Sequence, residues 1–265
     1  MQNDKETQYV YEKNRIMEAA VLSVIGDRDS QQDSFGISVK SDGGMIVLCD
    51  GMGGHQGGRL ASVLAKDTFL NDFERLYPNG YSWLEMLSSA KKCDEKITEL
   101  TSQSGEKLNA GTTCVAVTIY KNTLFWCSVG DSRAYLLRNG EFVRLTNDQN
   151  YEMILKDRLR KRIIDEEQYR LESEHKDALI SYLGIGNLSL IDYNDTPLNI
   201  KSGDKIVVMT DGLYKLLDDS EICHIIENFT NCSEALQILE MRAEKSARKK
   251  QVSRDNMTVT VISVI

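Results

Sequence analysis

Three apolar runs, far apart along this sequence, each stop at an aspartate beside a glycine. Ile46-Val47-Leu48-Cys49 runs into Asp50-Gly51, Phe125-Trp126-Cys127-Ser128-Val129 into Gly130-Asp131, and Ile206-Val207-Val208-Met209-Thr210 into Asp211-Gly212. A fourth aspartate, Asp255, stands just before the apolar run 257–265. Short β-branched and aromatic runs closed by turn residues read as strands. One Asp-Gly pair is more often a turn than a ligand. Four acids at the ends of strong strands constrain the chain far more, because carboxylates drawn together out of water repel unless a cation neutralises them. A fold that gathers these strand ends must also bring positive charge to them.

The remaining pattern says what kind of fold can do this. Strand-like runs cover 19–25, 45–49, 112–120, 123–129, 133–137, 205–210 and 257–265, and helical spacing covers 58–73, 82–102, 220–228 and 233–246. From Thr112 to Arg144 the strands follow one another across turn signals at Lys121-Asn122 and Arg138-Asn139-Gly140. Such an order favours an antiparallel meander over alternating β and α units. Two sheets covered by two helical layers accommodate the content. Between Leu145 and Leu198 the apolar period weakens and charge rises, so a mobile, mixed helical insertion is expected over about 145–198. No repeat or low-complexity linker divides the chain, and Pro78 and Pro197 are too isolated to mark a hinge, so 1–265 is read as one domain. Residues 1–16 are an extension, either a frayed tail or an added edge strand.

Charge and composition exclude several functions. The 32 basic and 40 acidic residues leave a net charge of −8, the opposite of what binding a phosphate backbone requires, so nucleic acid is not an expected partner. With 41% of residues apolar the chain can bury a core. No stretch approaches the roughly 18 apolar residues of a membrane span. The first twelve residues are polar where a signal peptide would be apolar. A cytoplasmic monomer with no membrane partner is expected. The six cysteines, Cys49, Cys93, Cys114, Cys127, Cys223 and Cys232, include no Cys-x-x-Cys pair and read as reduced, buried thiols.

Oxygen donors without a histidine or cysteine cluster select a hard octahedral ion, Mg²⁺ or Mn²⁺, over zinc or copper, and a binuclear carboxylate site is the leading inference. The segment 26–34 adds Asp33 and Gln32 as further oxygen donors, and Arg28 as a planar fork suited to two phosphoryl oxygens. Its alternating Asp27, Asp29 and Gln31 do not make a calcium loop, since Gln32 stands at the glycine position and Ser38 at the twelfth. Nor does 53–60 make a phosphate-cradling P-loop: Arg59 replaces the lysine and Leu60 the metal-binding hydroxyl.

In consistent order over about 17–265, the motifs resemble those of the metal-dependent serine/threonine protein phosphatases of the phosphatase 2C type, in their bacterial single-domain form. The likeness is carried by Arg28 through Asp33, Asp50-Gly51-Met52-Gly53-Gly54-His55, Ala110-Gly111-Thr112-Thr113, Val129-Gly130-Asp131-Ser132-Arg133, Thr210-Asp211-Gly212 and Arg254-Asp255-Asn256-Met257-Thr258-Val259. The resemblance implies an α+β fold, a four-layer α-β-β-α sandwich of two antiparallel sheets flanked by helices, with a flap insertion. It implies two ions, Mn²⁺ or Mg²⁺, bridged by Asp50, with the Gly51 carbonyl in one shell and Asp211 and Asp255 in the other. Asp33 would order water beside the metals, and Arg28 would bind the phosphoryl group. Asp131 with Asp211 would hold a third, looser ion. The implied activity is hydrolysis of phosphoserine and phosphothreonine in proteins, opposing a bacterial Ser/Thr kinase. Water activated between two ions needs no nucleophilic side chain, and His55 is the candidate to protonate the leaving oxygen.

The chain departs from the pattern twice. Gln32 stands where the first motif often has glutamate, so one ion would keep an amide oxygen but lose a charge. After Leu145-Thr146-Asn147-Asp148, where relatives commonly carry histidine and serine, this chain has Gln149-Asn150. The Gln32 change keeps open a catalytically weak relative that binds phosphoproteins or a regulator. Trp83, Met86, Leu87 and Ala90 read as a core face. Lys245, Arg248, Lys249, Lys250 and Arg254 read as a solvated basic helix end.

Overall fold

Alternation along each long strand decides the layering. In β4 (Gly43–Cys49), Met45, Val47 and Cys49 pack into a cluster with α1 (His55–Leu76) and α2 (Trp83–Thr98), whereas Ile46 and Leu48 pack into a second cluster against the opposite sheet. Both faces of a strand between two layers are dry, which is why the run is apolar throughout. The computed structural model describes residues 7–77, 81–229 and 231–265, except for the His55 side chain.

One antiparallel sheet is ordered β1 (Gln8–Lys13), β2 (Met17–Val24), β14 (Met257–Val264), β13 (Lys205–Met209), β9 (Arg133–Arg138), β10 (Glu141–Arg144). The other is ordered β11 (Asp192–Tyr193), β8 (Thr123–Val129), β7 (Cys114–Tyr120), β4, β3 (Ser34–Lys40), with β12 (Leu198–Asn199) also on β8. A two-stranded ribbon joins β5 (Gly51–Met52) to β6 (Gly111–Thr112). α1 and α2 cover the second sheet through Phe69, Phe73, Met86 and Ala90. α5 (Asp211–Tyr214), α6 (Asp219–Asn228) and α7 (Cys232–Lys250) cover the first through Leu213, Ile226, Leu236 and Leu239. Between the sheets, Met17, Leu48, Val117, Ile206 and Ile262 form the middle core. The result is the α-β-β-α sandwich expected, in four layers.

Two expectations need correction. The strands from Thr112 to Arg144 do not form one meander. β7 and β8 are a hairpin in one sheet and β9 and β10 a hairpin in the other, and the chain crosses between sheets at 130–132, where Gly130 has φ 97°. The turns that close the hairpins, with Lys121 at φ 54° and Asn139-Gly140 at φ 53° and 80°, are local and legible. The sheet each hairpin joins is not. The strand β3 also escaped, because Ser-Phe-Gly-Ile-Ser-Val-Lys has no continuous apolar run: it is an edge strand beneath α1, where a Cβ on Gly36 would lie 2.4 Å from Leu70.

Residues 8–13 are the edge strand of the two readings offered for the start of the chain. The segment after Leu145 forms α3 (Tyr151–Arg160), α4 (Glu166–Glu172) and a single 3₁₀ turn (Ser173–His175) before returning to β8 as β11 and β12. α7 is longer than its sequence pattern: Asn231 Oδ1 accepts from the Ser233 and Glu234 amides, and Arg248, Lys249 and Lys250 close the last turn. The cysteines are all free, and all but Cys223 are buried. Among the described residues no helix is long and apolar enough to cross a membrane.

Candidate active site

Strand ends from both sheets open onto one cavity of about 450 Å³. Asp50 leaves β4 with its backbone held on three sides. Its amide donates to Thr113 Oγ1 at 3.1 Å, and its carbonyl accepts from the Thr113 amide and from Thr112 Oγ1, each at 2.9 Å. Gly51 follows, and a Cβ there would lie 2.2 Å from the Gly58 carbonyl, so no other residue fits between the ribbon and α1. Asp211 opens α5 directly after β13, behind Thr210 as N-cap. Asp255 precedes β14, and Asp131 lies in the crossover between the sheets. Asp50, Gly51, Asp131, Asp211, Asp255, Gln32 and Arg28 all line the cavity.

The loop carrying Arg28 and Gln32 is tied to the start of β14 by a buried asparagine. Asn256 Oδ1 accepts from the Gln32 amide at 2.8 Å, and its Nδ2 donates to the carbonyls of Ile25 and Ser30 at 2.8 and 3.2 Å. Asp27 and Arg254 pair beside it at 2.8 Å. Gly26, at φ 67°, lies so close that a Cβ would sit 2.3 Å from the Asp255 carbonyl. The Gln32 side-chain oxygen lies over Gly58, 2.4 Å from where a Cβ would be.

Asp33 stands apart from that lining. It borders a second space of about 290 Å³, with Ser23, Gln31 and Phe35. Its Oδ2 accepts from the hydroxyls of Thr258 at 2.8 Å and Thr210 at 3.0 Å, while Oδ1 is buried without a hydrogen-bond partner. The backbone of His55 opens α1 behind Gly54; its side chain lies outside the described residues.

The acids feel one another strongly. Burial pushes the Asp50 carboxyl well above its ordinary range, and Asp33, Asp211, Asp131 and Asp255 each push it further. Asp33 is raised to about 7 by burial, with Asp211 and Asp255 adding to it and the two threonine hydroxyls opposing. Asp131 is raised to about 6 by burial and by Asp211, with Lys215 opposing. Five aspartates thus act on one another: the four that end or precede strands, and Asp33 from the segment 26–34.

Sequence reasoning missed two contributors. Lys215 Nζ lies 2.5 Å from Asp211 Oδ2, and Asp177, from the segment after α4, reaches the same cavity. The signal for Lys215 was its place four residues after Asp211, the spacing at which side chains meet on a helix. Nothing local marks Asp177. Arg28 is also engaged, with Nη2 2.6 Å from Asp255 Oδ2. With Asp211 and Asp255 turned to these bases, no three His, Cys, Asp or Glu groups among the described residues are set to hold a single ion.

The donor set nonetheless fits a hard divalent cation. Among the described residues no histidine or cysteine lines the cavity and Asp33 Oδ1 has no hydrogen-bond partner, and the carboxyls that face one another resist ionising without added positive charge.

Comparison with known proteins gives the same direction. A family model described as protein phosphatase 2C matches residues 23–251. The serine/threonine protein phosphatase PstP of Mycobacterium tuberculosis is 30% identical over 235 residues, 86% of this chain and 42% of that protein. The structure of the S. agalactiae serine/threonine phosphatase superposes with a TM-score of 0.76 at 28% identity, covering 94% of this chain and 100% of that one. The PstP catalytic domain in complex with two manganese ions superposes at 0.74 with 25% identity, covering 94% and 99%. A match over that much of the sequence, on a fold that overlays theirs nearly end to end, is kinship and not a shared turn motif: the chain belongs to the protein phosphatase 2C family and is a serine/threonine protein phosphatase.

Proposed function

We propose that this phosphatase removes phosphate from phosphoserine and phosphothreonine in proteins with the help of two divalent cations, Mn²⁺ or Mg²⁺. Asp50, the Gly51 carbonyl, Asp211 and Asp255 would hold them, with Gln32 and Asp33 as further oxygen donors and Asp131 at the edge. The observation that carries the reading is that carboxyls from four separate strand ends, Asp50, Asp131, Asp211 and Asp255, line one cavity, with Asp33 buried behind it. Bound cations would supply a water of lowered pKa and neutralise charge on the phosphoryl oxygens. The PstP catalytic domain, a relative, has been solved with two manganese ions.

The chain's own groups do the positioning. The threonine clamp on the Asp50 backbone fixes where its carboxylate points. Thr210 and Thr258 hold Asp33 Oδ2 and leave Oδ1 to orient water. Arg28, half exposed at the rim, exchanges Asp255 for two phosphoryl oxygens when substrate arrives. His55 is the proposed proton donor to the leaving seryl or threonyl oxygen. Substrates are phosphoproteins made by a serine/threonine kinase of the same cell, met by the chain as a monomer. No observation favours a purely binding role.

The test is phosphate release from a phosphothreonine peptide in chelator and then in Mn²⁺. Turnover is expected only with the metal, and Asp50→Ala should lower it by ~10³-fold or more, in line with losing about 4 kcal/mol of transition-state stabilisation. Undiminished turnover in chelator would remove the cations from the mechanism. In the same assay His55→Gln should slow the peptide more than p-nitrophenyl phosphate, whose leaving group needs no proton; equal slowing would pass that role to water.

A further inference from the structure

We propose that the Lys215 ammonium is a built-in counter-ion for the Asp131–Asp211 side of the cavity, so that this chain takes up two divalent ions and excludes a third. The inference rests on the metal-dependent reading above and concerns which positions are left for metal.

Lys215 is placed by the shortest route available. Asp211 is the first residue of the four-residue helix α5, and Lys215 is that helix's C-cap. Acid first and base four residues on is the favoured orientation of such a pair. Nζ lies 2.5 Å from Asp211 Oδ2, and the lysine side chain is 51% exposed against 13% for the aspartate. The base is thus the more exposed partner of the pair, and both line the cavity. Asp131 and Asp177 are the other acids that act on it.

The helix beneath is not free to carry Lys215 elsewhere. The Tyr214 hydroxyl donates to the Asp131 carbonyl at 3.2 Å, and the Arg133 guanidinium stacks on the Tyr214 ring at 3.5 Å. A Cβ on Gly212 would meet the Asn256 carbonyl at 2.1 Å. Any retreat must come from the lysine stem alone.

On an open helix an Asp–Lys pair of this spacing is a minor, solvated contact. Here the surroundings differ. Among the described residues the other base in the cavity lining, Arg28, is engaged with Asp255, and Lys215 is the one beside the acids at the α5 end. An ammonium has three donors and no acceptor. While it sits on Asp211 Oδ2 it competes with a metal for that oxygen, and its charge repels a further divalent ion brought beside it.

The experiment counts metal directly. Chelator-stripped protein is titrated with Mn²⁺ by calorimetry and by the loss of free-ion electron paramagnetic resonance signal, for wild type, Lys215→Met, Lys215→Arg and Asp50→Ala. Wild type and Lys215→Arg should take two ions per chain. Lys215→Met should take a third, at least tenfold tighter than any residual third uptake by wild type, and in chelator it should melt below wild type. If Lys215→Met does not fold, Lys215→Gln, which keeps a donor without the charge, serves in its place. Two ions bound by wild type, lost in Asp50→Ala, with unchanged uptake by Lys215→Met, would overturn the counter-ion role and leave the metal-dependent reading standing. Three ions already bound by wild type would do the same. No binding to wild type, or binding indifferent to Asp50→Ala, would overturn both.

Discussion

Asp33, Asp50 and Asp131 hold their protons more tightly in the folded chain than an exposed aspartate does, and burial is the first cause for each. The consequence for stability has a definite sign. A raised carboxyl means that the folded state binds more protons than the unfolded one, so this contribution is complete below the unfolded value near 3.8 and fades as pH rises through about 6 for Asp131 and about 7 for Asp33. Each unit is about 1.4 kcal/mol, so the acids together are on the order of a few kcal/mol. The chelated protein should therefore melt at falling temperature from pH 5 to pH 8, and Asp50→Asn should flatten that fall. Parallel curves for the two proteins would mean that Asp50 does not share the field. Asp50 and Asp131 were legible because each ends a strand-like apolar run; Asp33, ahead of a strand with no such run, was read from the oxygen donors of the segment 26–34. For Lys215 the spacing from Asp211 offered the pair, but a lysine four residues after an aspartate looks the same whether it faces water or three carboxylates.

At the scale of elements, the site is held by connections whose hydrogen bonds run between segments far apart in the chain. Asn256 closes the loop 25–32 with three bonds from one side chain. Asn256→Ala leaves a part-buried amide and two part-buried carbonyls without those partners. It should cost about 1–3 kcal/mol and weaken Mn²⁺ uptake through Asp255 and Gln32; calorimetric unfolding in chelator with a parallel titration checks both, and a variant matching wild type in each would dissociate the loop from the site. The long strands and helices were readable because alternation and helical spacing are properties of near neighbours. β3 and the helices after Leu145 were not, because a half-exposed edge strand and short charged helices owe their form to the layers they lie on.

For the whole molecule, the acids come from both sheets: Asp33 and Asp50 flank strands of one, Asp211 and Asp255 strands of the other. A cation held among them would add a further link between two layers that already meet through an apolar core and through the Asp33 hydrogen bonds to Thr210 and Thr258. Mn²⁺ at one hundred times its dissociation constant should then stabilise the fold by about 2.7 kcal/mol, seen as a raised melting temperature that Asp211→Ala removes; a melting point indifferent to Mn²⁺ would mean that no cation joins the sheets. The chain's own order of residues determined the strands, most of the helices, the hairpin turns and the acids that end them, because those depend on side-chain period and turn chemistry over a few residues. Tertiary structure alone decided that consecutive hairpins part into different sheets, that Asp33 stands behind the cavity lined by Asp50, and that Lys215 and Asp177 arrive beside Asp131. Each of those outcomes is settled by contacts between residues tens to hundreds of positions apart, where packing of whole faces outweighs any local preference.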